Sequence, residues 1–221
     1  MINFKEVNRY FFSESIYCFT TDIDWASELA VLSMLDIFNE YKIPLTPFIT
    51  HSSEVISDAY KNLSEHVGLH PNFLPNSTQV EVDKNVIDFC VKLWPCSKFY
   101  RAHAFFDSYP NVLRFKKKGF EYDSNSIEFL RPYCSPYRHG SGLIRFPVFW
   151  EDDVFRHNGF KFKISSIIGE LQTPGLKVFN FHPTLFVNDE LVFFKELVNF
   201  IYSYNSKIMY LNDIYKNLRN M

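Results

Sequence analysis

Short apolar runs of the β type alternate along this chain with longer apolar runs of helical period. Residues 16–21 have the β-branched and aromatic composition of a buried strand, and residues 25–41 follow with apolar side chains at helical spacing. The alternation continues without a linker or a fixed-period repeat. This order is typical of βα units around a parallel sheet, so the sequence predicts a single α/β domain over residues 1–221.

The pattern predicts about seven strands and a similar number of helices. The predicted strands cover residues 16–21, 45–50, 67–70, 98–102, 127–130, 143–149 and 176–181. The predicted helices cover residues 25–41, 53–65, 82–94, 110–118, 164–171, 190–204 and 208–218. Residues 131–142 are rich in Pro, Ser and Gly, which predicts a loop.

Composition excludes several functional classes. Apolar residues make up 47% of the 221 residues, enough for a large core, which rules out intrinsic disorder. The 23 basic and 25 acidic residues give a net charge of −2, without the cationic excess of a nucleic-acid-binding protein. The N-terminal sequence lacks an apolar secretion signal, and no apolar run is long enough for a membrane span. We therefore expect a cytoplasmic protein with no transmembrane segment and no nucleic-acid partner.

The four cysteines do not form a recognisable metal or disulfide pattern. They stand far apart in the sequence and include no CxxC pair, at Cys18, Cys90, Cys96 and Cys134. Free cysteine is usually buried. We therefore expect these residues to fill the core.

Polar residues follow nearly every predicted strand. They are Asp22 and Asp24, His51, His70, Arg101 and His103, the run 151–153, and His182. Because the carboxyl ends of parallel strands meet at one edge, we expect these side chains to surround one mouth. Carboxylates and imidazoles suit a divalent metal such as Zn²⁺, which activates water. Taken singly, the Asp22–Asp24 pair could be a helix cap, the acidic run a solvated turn, and His66 or His157 structural.

Five segments in this order resemble the motifs of the polysaccharide deacetylases of carbohydrate esterase family 4. They are TTDIDW at 20–25, EHVGLH at 65–70, YR at 100–101, FWED at 149–152 and FHP at 181–183. Together they span about residues 16–185, most of the chain. The resemblance implies a deformed (β/α)7-type barrel.

The resemblance also implies a role for each matching residue. Asp22 would be the general base, with Arg101 beside it to keep its carboxylate ionised. Asp24 and His70 would bind the metal, and His182 would be the general acid. Three further residues within these motifs are predicted to contact substrate: Trp25, Trp150 and Asp152.

The chain departs from the family at one metal-binding position. The family has a second histidine four residues after the first, and the corresponding residue here is Leu74, which cannot bind a metal. His103 is the best-placed replacement, two residues after Arg101, and His51 is the reserve candidate. A site without either replacement is the third alternative.

The leading hypothesis is a metal-dependent hydrolase that removes an acetyl-type group from the nitrogen of a sugar or glycan precursor. Its cofactor would be Zn²⁺, with Co²⁺ or Ni²⁺ as alternatives, and its pathway would be surface polysaccharide biosynthesis. Two other functions remain open: a non-catalytic carbohydrate-binding barrel, suggested by Leu74, and a C–N hydrolase for a non-sugar amide. The sequence leaves the sugar, the acyl group and the oligomeric state undetermined.

Overall fold

The structure is a computed structural model that describes residues 2–79 and 83–221. Within them the helices are α1 Phe4–Ser13, α2 Glu28–Glu40, α3 Glu54–Ala59, α4 Asp83–Leu93, α5 Tyr109–Lys117, α6 Asp152–His157, α7 Ile168–Gln172, α8 Asp189–Ser203 and α9 Leu211–Arg219. The strands are β1 Ser15–Asp22, β2 Leu45–Ile49, β3 Gly68–Leu69, β4 Phe99–Tyr100, β5 Tyr122–Asp123, β6 Tyr137–Arg138, β7 Ile144–Arg145, β8 Val148–Glu151, β9 Gly175–Phe181 and β10 Lys207–Ile208. No helix in these two ranges has the length and apolar character needed to cross a membrane.

The described strands form one curled sheet in the order β6-β7-β5-β4-β3-β2-β1-β9-β8, with β10 also paired to β1. All described pairs are parallel except β6 with β7. Only Phe146 and Pro147 separate β7 from β8 along the chain. The amide of Val148 donates to the carbonyl of Ser126 at 2.8 Å, so β8 also pairs with the chain that follows β5. The sheet therefore curls into a deformed (β/α)7-type barrel, as predicted.

Side-chain alternation along the strands decides which residues face the barrel interior. On β1, Ile16 and Cys18 pack with α1 and α9, whereas Tyr17 and Phe19 pack with the helices around the outside. Thr20 and Asp22 continue the inner series because strand side chains alternate with period two. The inner face is thus apolar toward the amino-terminal ends of the strands and polar toward their carboxyl ends.

Close packing inside the barrel requires a glycine on β3. A Cβ added to Gly68 would lie 2.6 Å from ring atoms of both Phe48 and Phe99. Their rings meet edge to face, with centroids 5.4 Å apart. Gly68 therefore sets how closely β3 approaches its neighbours.

Several predicted elements need correction. Helix α1 was not predicted; Val7 and Phe11 on it are fully buried in the barrel core, a contact that no local pattern reveals. Residues 127–130 are not a strand and contribute one bridge, between Ile127 and Val148; the strand of this region is β5. The C-terminal helix begins at Leu211, because residues 207–208 form β10.

Other boundaries also differ from the prediction. Helix α3 ends at Ala59, and a 3₁₀ turn, Ser64–His66, follows where the helix was predicted to continue. Helix α6 was not predicted and starts directly at the end of β8. The predicted start of the helix at residue 82 lies outside the described residues, and the described helix α4 begins at Asp83.

Candidate functional site

A cavity of about 350 Å³ opens at the carboxyl ends of the strands. Most of the polar residues expected at this mouth line it. The lining residues are Asp22, Asp24, His70, Ala102, His103, Ala104, Phe105, Glu151, Asp153, Val154 and His182. The βα topology brings them together because they lie at or just after the carboxyl ends of five strands of the barrel: β1, β3, β4, β8 and β9.

Asp22 lies at the end of β1 and is held by two buried side chains. Its Oδ1 accepts a hydrogen bond from Arg101 Nη1 at 2.9 Å, and its Oδ2 accepts one from Asn180 Nδ2 at 2.9 Å. Arg101 has no exposed surface and also donates to Ser124, through Nε at 3.1 Å and Nη2 at 2.9 Å. The Asp22 carboxylate is therefore fixed in position at the floor of the cavity.

Asp24, His70 and His103 bring their donor atoms to one point. Asp24 Oδ1 lies 3.2 Å from His70 Nε2 and 3.1 Å from His103 Nδ1. All three ligand atoms lie within 4.8 Å of one another. Tetrahedral Zn²⁺ with bonds of 2.0–2.1 Å separates its donors by about 3.3 Å. One carboxylate oxygen and two imidazole nitrogens at this spacing fit a divalent metal.

Electrostatic interactions within this trio affect how it would bind a metal. Burial opposes ionisation of Asp24, but hydrogen bonds from His103 and His70 outweigh it and hold the pKa of this carboxyl far below its usual range. The bond to Asp24 raises the pKa of His103. Asp24 is therefore the anionic oxygen ligand that a metal needs, and metal binding would displace the proton that this bond favours on His103.

His182 follows the end of β9 and is oriented by Asp152. Its Nδ1 lies 2.6 Å from Asp152 Oδ1, and its backbone amide donates to Asp152 Oδ2 at 2.7 Å. Burial favours the neutral imidazole, but the Asp152 carboxylate outweighs burial and raises the pKa of His182 well above its ordinary value. Its Nε2 lies 3.8 Å from Asp24 Oδ2 and borders the cavity.

Two residues of the site were not singled out from the sequence. Asn180 Nδ2 donates to both Asp22 and Glu151 Oε1, each at 2.9 Å, while its Oδ1 accepts from Arg101 at 2.6 Å. Burial, with repulsion from Asp153, raises the pKa of Glu151 to about 8. Asn180 could have been found by strand alternation, since it precedes His182 by two residues and shares its face. Glu151 appeared only as part of an acidic run.

The remaining histidine candidates lie apart from the trio. His51 Nδ1 lies 2.8 Å from Thr50 Oγ1, and that hydroxyl donates to the backbone carbonyl of Asp24. His66 is buried and stacks on Tyr210, with ring centroids 4.0 Å apart. The half-exposed Leu74 side chain has no atom that could replace a ligand.

The three predicted substrate contacts have different surroundings. Trp25 is exposed at the rim, where its ring meets His103 edge-on and its Nε1 donates to Thr78 Oγ1 at 2.9 Å. Trp150 is fully buried and stacks on Phe193, so its ring has no surface for a substrate and this prediction needs correction. Asp152 is also fully buried and its oxygens are occupied by His182, which gives it an orienting position instead of a substrate contact.

A family profile and a similar solved structure both relate this chain to polysaccharide deacetylases. Residues 19–194 match the profile of the WbmS-like family, described as polysaccharide deacetylase. The WbmS structure from Bordetella bronchiseptica, assigned as a polysaccharide deacetylase involved in O-antigen biosynthesis, has 25% identity and a TM-score of 0.69, with 82% of this chain and 76% of that chain covered. No protein with a curated description shows significant sequence similarity to this chain.

Two more distant structures share the fold. A polysaccharide deacetylase structure from Mycobacterium smegmatis has 14% identity and a TM-score of 0.61, with 94% of this chain and 91% of that chain covered. The peptidoglycan N-acetylglucosamine deacetylase Bc1960 has 14% identity and a TM-score of 0.55, with 95% of each chain covered.

Proposed function

The chain belongs to the WbmS-like polysaccharide deacetylase family, and from this we propose a metal-dependent N-deacetylase that acts on a sugar or glycan precursor of a surface polysaccharide. The observation that carries the proposal is the convergence of Asp24, His70 and His103 beside the buried carboxylate of Asp22. A carbohydrate-binding protein without catalysis has no need for such a donor set. The role in surface polysaccharide synthesis is supported by the O-antigen assignment of the Bordetella protein.

Asp24 Oδ1, His70 Nε2 and His103 Nδ1 are the atoms that would hold the metal, with Zn²⁺ as the first candidate and Co²⁺ or Ni²⁺ as alternatives. When bound, the metal would polarise the amide carbonyl of the substrate and acidify a water molecule. His70 would bind the metal through Nε2, the atom that faces Asp24 Oδ1. The other ring nitrogen of His70, Nδ1, lies 3.6 Å from Asp22 Oδ1 and has no hydrogen-bond partner in the described residues, so Asp22 borders this proposed ligand directly.

Asp22 is the proposed general base. Each of its oxygens accepts one hydrogen bond from Arg101 or Asn180, which leaves further lone pairs to take a proton from the attacking water. Arg101 and Asn180 fix the direction of these lone pairs. A positioned base of this kind contributes about 10² to 10⁴ in rate.

His182 is the proposed general acid. Its Nδ1 is engaged by Asp152, so the proton on Nε2 is the one available to the departing nitrogen of the sugar. The Asp152 carboxylate raises the pKa of His182, which favours the protonated imidazole that a general acid needs. Addition of water to the amide carbonyl carbon, with its proton passing to Asp22, and cleavage of the C–N bond, with a proton from His182 to the nitrogen, would give a carboxylate and the free amino sugar.

The proposed substrate is a nucleotide-linked or lipid-linked acylated sugar, in keeping with a cytoplasmic location. Trp25 stands exposed at the rim, where its ring could cover one face of a sugar. The mixed polar lining suits the hydroxyl and amide groups of such a ligand.

Release of acetate or formate from a panel of acylated nucleotide sugars tests this function, with metal content measured on the same samples. We expect stoichiometric metal and release from at least one sugar amide. Failure to bind Zn²⁺, Co²⁺ or Ni²⁺ after reconstitution would reject a hydrolase, and metal-dependent cleavage of non-sugar amides alone would reject a sugar substrate.

A further inference from the structure

The third proposed metal ligand, His103, comes from a short loop that has an unusual backbone. Residues His103–Phe105 form a 3₁₀ turn after β4, with left-handed φ angles of 53° at Ala104 and 51° at Phe105. Non-glycine residues adopt this conformation only when their surroundings enforce it. The loop therefore requires contacts that hold it in place.

Asn125, which follows β5, provides two of these contacts. Its Oδ1 accepts a hydrogen bond from the amide of Ala102 at 2.9 Å, and its Nδ2 donates to the carbonyl of Phe106 at 3.1 Å. One buried side chain thus joins the residue before the turn to the residue after it. Its own amide donates to Asp123 Oδ1 at 3.2 Å, which fixes Asn125 to the end of β5.

An ion-pair chain anchors the far side of the loop. Asp107 accepts hydrogen bonds from Arg145 Nη1 at 2.6 Å and Nη2 at 3.2 Å. Arg145 is itself held by the fully buried Asp123, through Nε at 2.7 Å and Nη2 at 3.0 Å. Because Arg145 lies on β7, the loop is attached to two strands of the barrel.

We propose that Asn125, with the Asp107–Arg145 pair in support, positions His103 for metal binding and so compensates for Leu74 at the usual histidine position. This inference rests on the proposed function, because it takes His103 as a ligand. Neither Asn125 nor Asp107 contacts the donor atoms of the trio. They are positioning residues that act through the backbone of the loop.

Asn125→Ala removes the side-chain hydrogen bonds to the Ala102 amide and the Phe106 carbonyl. Asn212→Ala is its matched control. Asn212 is likewise a buried asparagine, and its Oδ1 accepts a hydrogen bond from Tyr122 at the opposite end of the barrel. Asp107→Ala is a second variant that alters only a partly exposed side chain. The readouts are Zn²⁺ affinity by competition with a chromophoric chelator, the Co²⁺ visible absorption spectrum, and thermal unfolding of the metal-free protein.

We expect Asn125→Ala to weaken Zn²⁺ binding by about 10- to 100-fold and to change the Co²⁺ spectrum, as is typical when an orienting partner of a ligand is lost. Asp107→Ala should weaken binding by a smaller factor, and Asn212→Ala should leave both metal readouts unchanged even where it lowers thermal stability. Equal affinities in Asn125→Ala and Asn212→Ala would overturn the positioning role while leaving the proposed function intact. Absence of metal binding in the wild type would overturn both.

Discussion

At the scale of single residues, Asp22 has the most specific surroundings in the cavity. Two donors, Arg101 Nη1 and Asn180 Nδ2, point at its two oxygens from different strands. This arrangement suits a carboxylate and not an amide, because an amide nitrogen at either position would face another donor. The two neighbouring donors therefore favour aspartate over asparagine at position 22, independently of its proposed catalytic role.

Asp22→Asn should lower the turnover number by about 10² to 10⁴, since it removes the base. Its metal content should stay near that of the wild type, because the three proposed ligands are unchanged. Steady-state kinetics and metal analysis check this prediction, with the exposed Asp58→Asn as the matched control. A turnover number of Asp22→Asn within about threefold of the wild type would show that Asp22 is not the general base.

We expect Glu151 to make the free energy of unfolding of the metal-free protein depend on pH. Its pKa is raised from an ordinary 4.5 to about 8, so the folded protein holds this proton more tightly than the unfolded chain. The stabilisation is complete below about pH 4.5 and is lost as the pH rises through about 8. Glu151→Gln stays neutral, so its free energy of unfolding should decline less over this range.

Urea unfolding in the presence of a chelator, repeated across this pH range, measures the effect. Glu40→Gln, at an exposed position at the end of α2, should retain the wild-type dependence. An unchanged pH dependence in Glu151→Gln would show that another group is responsible.

At the scale of elements, the short strand β3 leads directly to His70, and Gly68 on it allows close contact with the rings of Phe48 and Phe99. Gly68→Ala would bring a methyl group within 2.6 Å of Phe48 and Phe99, so the strands must separate or the rings must move. We expect a loss of about 1–3 kcal/mol in the free energy of unfolding, the usual cost of overpacking.

Gly169→Ala is the control for this prediction. Gly169 lies in α7, where an added Cβ meets no atom within 4 Å. Alanine favours a helix over glycine by about 0.5–1 kcal/mol, so this variant should be as stable as the wild type or more stable. Equal unfolding midpoints in the two variants would contradict the role of Gly68.

At the scale of the whole molecule, the trio joins three parts of the barrel: the ends of β1, β3 and β4. A ligand that binds only the folded protein adds about 2.7 kcal/mol of stability at 100 times its Kd. For a chain of this size that is a rise of roughly 5–10 °C in the midpoint of thermal unfolding. We therefore expect Zn²⁺ to raise the midpoint and a chelator to reverse the rise.

His103→Ala should lose most of this Zn²⁺-dependent rise, whereas His66→Ala should keep it. Loss of the stacking between His66 and Tyr210 lowers the stability of the metal-free protein, but it leaves the trio intact. Scanning calorimetry with and without Zn²⁺ separates these two effects. Equal rises in both variants would exclude His103 as a ligand.

The sequence alone determined the parallel α/β order and the polar residues that follow each strand. These are local properties, because an apolar run followed by Asp22, His70 or His182 is visible in the sequence without knowledge of which elements pack beside it. The convergence of those residues then followed from the topology of parallel strands.

The tertiary structure alone decided which residues support the site and which do not. Asn180 donates a hydrogen bond to Asp22 on another strand, and Asn125 bonds the backbone on both sides of the His103 turn. Trp150 is buried by residues from several elements. Helix α1 is similar, because its apolar residues acquire their place only when the barrel they cover has formed. Such features depend on strand order and on the fit of side chains, which no local pattern contains.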